Sequence, residues 1–229
     1  MKKIKNLIKN KFPVLVSLIR WVKIKMLRYR RSESIFTTIY TKNEWGDVES
    51  VSGPGSNLEQ SLGVREALPA LLNEFGVRSI LDVPCGDFWW MKEVELDVEH
   101  YVGADVVKEL VDSNVAKYGN DQRKFVSLDI TRDNLPQVDL VLCRDLLVHF
   151  TYRDIFNALK NLRKSNSEFF LTTTFIGIDD NEDILTGEWR AINLQKPPFN
   201  FPAPLKLIDD YDINPKARKS LGLWRISDI

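Results

Sequence analysis

The order of apolar and amphipathic segments predicts an α/β fold. It is a doubly wound, mostly parallel seven-stranded sheet that ends in an antiparallel hairpin, preceded by a basic helical arm. Three observations predict it. Short apolar runs of strand length alternate with segments of helical apolar spacing, the pattern of a parallel sheet covered on both faces. Aspartates stand at the ends of the first three runs, Asp82, Asp105 and Asp129. The last two extended segments are joined by a polar connection rather than a helix, so they pair antiparallel at the sheet edge.

The chain has 229 residues, enough for one sizeable core and short for two. The expected division is therefore an arm over residues 1–34 and one domain over residues 35–229. Apolar residues make up 44% and charged residues 28%, ordinary for a globular protein. The net charge of zero hides an asymmetry. Residues 1–32 hold eleven Lys and Arg and no acid, leaving 21 basic against 32 acidic residues in the remainder, a net of −11.

Within the arm, Ile4, Leu7, Ile8 and Phe12 share one helical face, Pro13 breaks the run, and Trp21 sits among Arg20, Lys23 and Lys25. Two readings fit: a helix lying on an anionic membrane surface, or a packing arm with a solvated charged face. Nucleic acid is disfavoured, because the acidic remainder repels phosphate. The stretch Val14-Leu15-Val16, resuming at Leu18-Ile19, falls far short of the ~20 residues a span needs. It also lacks a signal-peptide cleavage site. Cys85 and Cys143 are the two cysteines, too few for a disulfide framework or a four-ligand zinc site. A reducing, cytoplasmic location without a metal is the expectation, with peripheral membrane contact through the arm.

Residues 36–56 read as irregular and turn-rich. A helical region follows, with Ser56 as N-cap and Glu59 completing a capping box. Its apolar face is Leu58, Leu62, Leu68, Leu71, Leu72 and Phe75. Gly76 stops it, and Pro69 kinks or splits it. Strands are expected at 79–83, 101–104, 125–128, 139–142 and 169–174. The helix after the second carries Val107, Leu110, Val111 and Val115. The helix after the fourth carries Tyr152, Ile155, Phe156, Leu159 and Leu162. Residues 176–203 form a long loop, and 205–208 with 221–226 form the hairpin.

The first strand runs into Val83-Pro84-Cys85-Gly86-Asp87, where Gly86 lets the backbone pass close beneath a ligand. One aspartate at a strand end is what capping or solvation gives. Three at successive strand ends, 23 and 24 residues apart, form a row along one sheet edge, where such sheets bind ligands. That row suits a cationic ligand. A dinucleotide pyrophosphate wants bare N–H groups and several glycines, and here it would meet Asp87 and Pro84. Beyond the fourth strand stand Arg144, Asp145 and His149.

Ile80 to Asp87 resembles the first motif of class I S-adenosylmethionine-dependent methyltransferases, which have a Rossmann-like fold. Pro84 and Phe88 stand where that family usually has glycine. The order of strand-end acids also resembles that family. There the first lies near the methionine end of the cofactor, the second on the ribose and the third beside the adenine amine. The resemblance implies S-adenosylmethionine as cofactor, contacted from Asp82, Pro84, Cys85, Gly86, Asp87, Asp105, Val106, Asp129, Ile130 and Arg144. From about Ile39 onward the chain resembles a subgroup with a Pro-Cys-Gly-Asp-Phe first motif. Its pieces are Asn43-Glu44-Trp45-Gly46, the Ser52 to Ser56 turn, Thr172 to Phe175, Gly187 to Arg190 with Asn193, and Leu221 to Trp224.

In the similar fourth-strand motif a histidine closes the turn, and the residues leaving the strand face the transferable methyl. His149, Asp145 and Arg144 are therefore the catalytic candidates, His149 or Asp145 as base. Two alternatives stay open: His149 as a packed core residue, and Arg144 as the ion-pair partner of Asp145 or another of the pocket acids. Trp45, Ser56, Trp189, Arg190 and Asn193 are the substrate candidates, their tryptophans and arginine suiting a sugar face or planar ring. A lid packed as a satellite core is the competing reading. The expected activity is in-line methyl transfer to a small molecule or glycan. The alternatives are a catalytically silent scaffold, which the replaced glycines favour, and a nicotinamide-dependent sugar-modifying enzyme.

Overall fold

In the computed structural model, which describes residues 31–210 and 216–229, the strand side chains divide between two apolar clusters by alternation. Ile80, Leu140, Leu142 and Leu171 join one cluster, and Leu81, Val141 and Phe170 join the other. A strand covered on both faces shows no polar alternation in sequence, which is why Leu-Val-Leu-Cys at 140–143 is buried throughout.

The central strand β1 (Ser79–Asp82) pairs in parallel with β2 (His100–Asp105) and β4 (Leu140–Cys143). Outside them lie β3 (Arg123–Ser127) on one side and β5 (Phe169–Phe175) on the other. The C-terminal pair, β6 (Lys206–Asp209) and β7 (Lys219–Arg225), completes the order β3-β2-β1-β4-β5-β7-β6. Strand β7 runs antiparallel to both neighbours. The seven-stranded, mostly parallel sheet with a terminal hairpin is thus as the sequence predicts. The chain reverses direction across the sheet between β1 and β4, which opens a crevice at their carboxyl ends.

Among the described residues four α-helices accompany the sheet: α1 (Ser32–Thr41), α2 (Leu62–Glu74), α3 (Lys108–Tyr118) and α4 (Tyr152–Lys164). Thr151 caps α4 by accepting from the Asp154 N–H, and Arg163 and Lys164 suit the negative end of its dipole. Its buried face is Ile155, Ala158, Leu159 and Leu162. Phe156, expected inside, is 45% exposed and packs at the rim against Phe199. On α3 the buried set is Leu110, Val111 and Asn114 rather than Val115, because the Asn114 amide anchors the turn after β1.

Three expectations change. Residues 36–41 are not irregular: they complete α1, which buries Ile35, Phe36 and Ile39 and runs across the expected 34/35 division. The capping box at Ser56 does not form. Residues Pro54–Ser56 make a 3-10 turn, and α2 begins only at Leu62. Asn57 takes the capping role: its Oδ1 accepts from the Gln60 N–H at 2.8 Å and its carbonyl from the Ser61 hydroxyl at 2.7 Å. Pro69 does not split α2, whose buried face of Val64, Leu68, Leu71 and Leu72 holds it together across the missing hydrogen bond. The arm, with its amphipathic stripe and expected membrane contact, and Asn214-Pro215 lie outside the described residues.

On β7 the indole of Trp224, 1% exposed, lies against Gly222. A Cβ at Gly222 would stand 2.2 Å from the Trp224 ring. Gly222→Ala should therefore destabilise the fold by about 1–3 kcal/mol through overpacking. Urea unfolding would show this as a lower midpoint with an unchanged slope.

Candidate active site

The exit of β1 is pinned from three directions. The Cys85 N–H donates to the Ala104 carbonyl at 2.8 Å, continuing the pairing with β2. Gly86, at φ +53°, donates its N–H to Asp105 Oδ2 at 3.2 Å and accepts from Asn114 Nδ2 at 2.8 Å. A Cβ on Gly86 would lie 2.2 Å from Ser52 Oγ, so glycine also admits the loop that roofs the turn. Phe88 adopts φ +60°, a left-handed conformation that costs a bulky residue on the order of 1 kcal/mol or more. Packing against Tyr101, Tyr118 and Phe125 at 5.2–5.4 Å offsets that cost. Phe88 thus keeps the backbone shape that glycine would otherwise supply.

Beside this turn lies a cavity of about 570 Å³ along the carboxyl edge of the sheet, within the range of ligand pockets. Neighbouring strands are about 4.8 Å apart, so residues leaving β3 and β2 stand at one end and those leaving β4, β5 and β7 at the other. At the first end, Asp105 accepts from the Val107 N–H at 2.9 Å as well as from Gly86, and burial still pushes its carboxyl up to about 6. Asp129 accepts from the Thr131 N–H (2.9 Å) and hydroxyl (2.6 Å) through Oδ1, and from the Ser32 hydroxyl (2.5 Å) through Oδ2. Val106, Leu128 and Ile130 supply apolar wall, while Pro84, Cys85 and Gly86 form the side.

Two expected members of this set stand apart. Asp82 does not line the cavity. It lies on Ile80's side of β1, where Tyr101 donates its hydroxyl to Oδ2 at 2.5 Å, and burial raises its carboxyl to about 7. Asp87 is also absent from the lining and clamps the roof. It accepts from the Ser50 and Ser52 hydroxyls (3.0 and 3.2 Å) and the Val51 N–H (3.0 Å). A strand-end position in sequence does not settle which way the carboxylate faces.

At the other end, Arg144 is buried in a closed ion cluster. Its Nε and Nη2 donate to Asp210 at 3.1 and 2.8 Å, and Nη1 donates to the Gly55 carbonyl at 2.6 Å. Lys219 lies 2.7 Å from Asp145 Oδ2 and 3.0 Å from Asp210 Oδ2. Burial alone would raise the Asp145 carboxyl, but Lys219 and then Arg144 outweigh it and hold it at about 2. Arg144 therefore pairs with Asp145 at 3.6 Å, as one sequence reading had it, but its main partner is Asp210.

His149 closes the 3-10 turn Leu147–His149 and lines the cavity. Its Nδ1 is 2.9 Å from the Glu188 carbonyl. A carbonyl only accepts, so the hydrogen-bond network assigns the proton to Nδ1 and leaves a lone pair on Nε2. Burial lowers its pKa below the usual value of 6.5, keeping the ring neutral at pH 7. The ring lies against Trp45 at 4.8 Å and 30°.

Trp45, Ser56 and Trp189 reach the cavity; Arg190 and Asn193 do not. Arg190 straps the His149 turn, donating to the Leu147 and Phe150 carbonyls at 2.8 and 3.0 Å. Asn193 ties the loop after β5 through the Ile178 carbonyl and the Gln195 N–H. Cys85 and Cys143 are both buried free thiols whose pKa burial raises. The sequence reading missed Ser32, Phe36 and Tyr40, which line the cavity from α1, and Lys219 from β7. The first three had a signal, a four-residue repeat on one helical face. Lys219 had none, since only its antiparallel register with Phe175 brings it to the site.

No family model matches the chain, and no curated protein matches it by sequence. Solved structures do match. The N-methyltransferase NodS from Bradyrhizobium japonicum WM9, in complex with S-adenosyl-L-homocysteine, aligns with TM-score 0.60 at 11% identity, over 81% of this chain and 97% of its own. The 1,6-didemethyltoxoflavin-N1-methyltransferase of Burkholderia thailandensis, with bound 1,6-didemethyltoxoflavin and S-adenosylhomocysteine, aligns with TM-score 0.56 at 14% identity, over 84% and 86%. The magnesium protoporphyrin IX methyltransferase of Synechocystis PCC 6803, with bound S-adenosylmethionine, aligns with TM-score 0.53 at 12% identity, over 86% and 97%. The fold is that of the S-adenosylmethionine-dependent methyltransferases. Among the described residues no helix is long and apolar enough to cross a membrane.

Asp82 generates a pH prediction. Its folded pKa of about 7 lies above the ordinary aspartate value of 3.8, so its contribution is full below that ordinary value and lost as pH rises through 7. Asp82→Asn keeps an acceptor for Tyr101 and removes the charge. Its melting temperature should match the parent near pH 4 and exceed it at pH 8. Equal melting temperatures at pH 8 would show that the carboxyl titrates normally.

Proposed function

We propose that the protein is an S-adenosylmethionine-dependent methyltransferase acting on a small molecule or the end of a glycan, and that it belongs to the subgroup marked by the Pro-Cys-Gly-Asp-Phe turn. One observation carries this reading. Carboxylates from the ends of β2 and β3, Asp105 and Asp129, face one end of a single cavity whose other end holds a neutral imidazole.

The residues at the first end fit the cofactor by their chemistry. Asp105 offers a carboxylate to a pair of hydroxyls, Asp129 accepts from an amine, and Val106, Leu128 and Ile130 flank a flat ring. The acidic end suits a net cation and repels a pyrophosphate, which disfavours the nicotinamide alternative. When bound, S-adenosylmethionine supplies a methyl on a sulfonium; its transfer forms one bond to the acceptor atom and returns the carbon–sulfur pair to sulfur. The protein's own work is then positioning and proton removal. His149 Nε2 takes the proton of an acceptor hydroxyl, while the Glu188 carbonyl holds the tautomer. Asp145, tied to Lys219 and held at about 2, stays ionised and serves as ion-pair partner, not as base.

Calorimetric titration should show S-adenosylmethionine binding. Asp105→Ala should weaken it at least about tenfold, the scale of a lost charge-assisted hydrogen bond pair. His149→Gln should leave binding unchanged and lower methyl transfer by ~10²-fold, a general-base contribution. Transfer should be flat from pH 7 to 8 and fall only at a pH under the ordinary imidazole value, because burial lowers the pH at which His149 gains its proton. Absence of heat at millimolar cofactor would defeat the proposal.

The arm is proposed to contact anionic membrane, on the strength of its eleven basic residues. Deleting residues 1–31 should abolish sedimentation with anionic vesicles and spare cofactor binding. Undiminished sedimentation of the truncated chain would refute the contact.

A further inference from the structure

The acceptor end of the cavity differs in kind from the cofactor end. Its walls are rings: Phe36, Tyr40, Trp45, Phe150, Phe175 and Trp189. They buttress one another rather than filling the space. Phe36 touches Trp45 and Phe150, each at 6.0 Å, and Phe175 meets Trp189 edge-on at 6.0 Å and 85°. Trp189 is 60% exposed, a large apolar ring at the rim of the cavity.

Charge narrows the guest further. Among the described residues, the two cations that line the cavity, Arg144 and Lys219, are held by Asp210 and Asp145, whose carboxylates lie 2.7–3.0 Å away. An acceptor bearing phosphate or carboxylate would have to break a buried pair to gain a counterion, and removing one member of such a pair is costly. A sugar presents hydroxyls around its whole ring and needs several hydrogen-bonding side chains at that end. The Tyr40, Ser56 and Gln60 side chains also line the cavity, but rings dominate its walls, and among them the imidazole presents a lone pair at Nε2, which has no partner among the described residues, its Nδ1 being spent on Glu188.

We propose, resting on the methyltransferase reading above, that the acceptor is an uncharged planar aromatic molecule bearing a hydroxyl, held against Trp45 and Trp189 with that hydroxyl donating to His149 Nε2. The flat walls bind the ring by stacking and apolar burial, and the lone pair selects a donor at its edge. In transfer, the hydroxyl proton passes to Nε2, the oxygen lone pair forms the new carbon–oxygen bond, and the imidazolium later releases the proton to solvent.

Calorimetric titrations of the full chain with S-adenosyl-L-homocysteine present would test it, using 2-naphthol, 2-naphthyl phosphate and methyl glucoside as probes. Naphthol should bind, with the phosphate ester and the glucoside at least about tenfold weaker. Trp189→Ala, a rim residue whose loss spares the core, should weaken naphthol several-fold, and Trp45→Ala about tenfold, while Trp45→Phe retains most affinity. Cofactor affinity should be unchanged in all three. Cofactor binding with no naphthol binding, or tighter binding of the glucoside or phosphate ester, overturns the acceptor class and leaves the methyltransferase reading intact. No cofactor binding at all overturns that reading and this one with it.

Discussion

Arg144 is the residue on which the assembly of the site depends. It leaves β4 at the switch point and reaches two distant pieces of chain, Asp210 beyond β6 and the Gly55 carbonyl in the roof loop, as well as its neighbour Asp145. Lys219 then links the same two carboxylates to β7. A guanidinium buried to this degree is tolerable only with its donors satisfied, and the bidentate geometry with Asp210 does so. The consequence is mechanical. The roof loop and the antiparallel hairpin are fastened to the exit of β4, so the cavity has a fixed lid on one side and a fixed floor on the other.

The cluster also sets the electrostatics of the cavity. Two cations and two carboxylates cancel locally, so the acceptor end offers little net charge although four ionised groups stand beside it. At the other end Asp105 and Asp129 have no cationic partner among the described residues, and burial raises the Asp105 pKa. One cavity is thereby divided into an acidic end suited to a cation and a ring-lined end suited to a neutral guest. The imidazole of His149 sits at the second end, held by the Glu188 carbonyl, which Arg190 in turn supports through the turn it straps. Arg190 acts at a distance from any ligand, as a positioning residue.

The replaced glycines do not signal decay of the site. Phe88 retains the left-handed backbone and adds a buried ring, while Gly86 keeps the one position where a side chain would strike the roof. Asp87, the acid after that glycine, holds the roof down by three hydrogen bonds. In the Pro-Cys-Gly-Asp-Phe turn, Cys85, Gly86, Asp87 and Phe88 each have a separate packing or bonding task.

The alternation of strand and helix, the hairpin, the glycine turn and the acids at 105 and 129 were legible in the sequence, because each is a local pattern imposed by backbone periodicity. His149 was legible as a candidate for the same reason, standing a fixed distance past the fourth strand. What the sequence could not decide was direction and distance. Asp82 and Asp105 look alike at their strand ends, yet one carboxylate turns under the sheet to Tyr101 and the other enters the cavity. Arg190 and Asn193 read as ligand contacts and lie in ties between loops, while Asp210, unremarkable in sequence, meets Arg144 across 66 residues of chain and Lys219 joins them by pairing with Asp210 and Asp145. Local hydrogen bonding fixes the elements; the choice of partner for a buried charge is made only when distant segments compete for it in three dimensions.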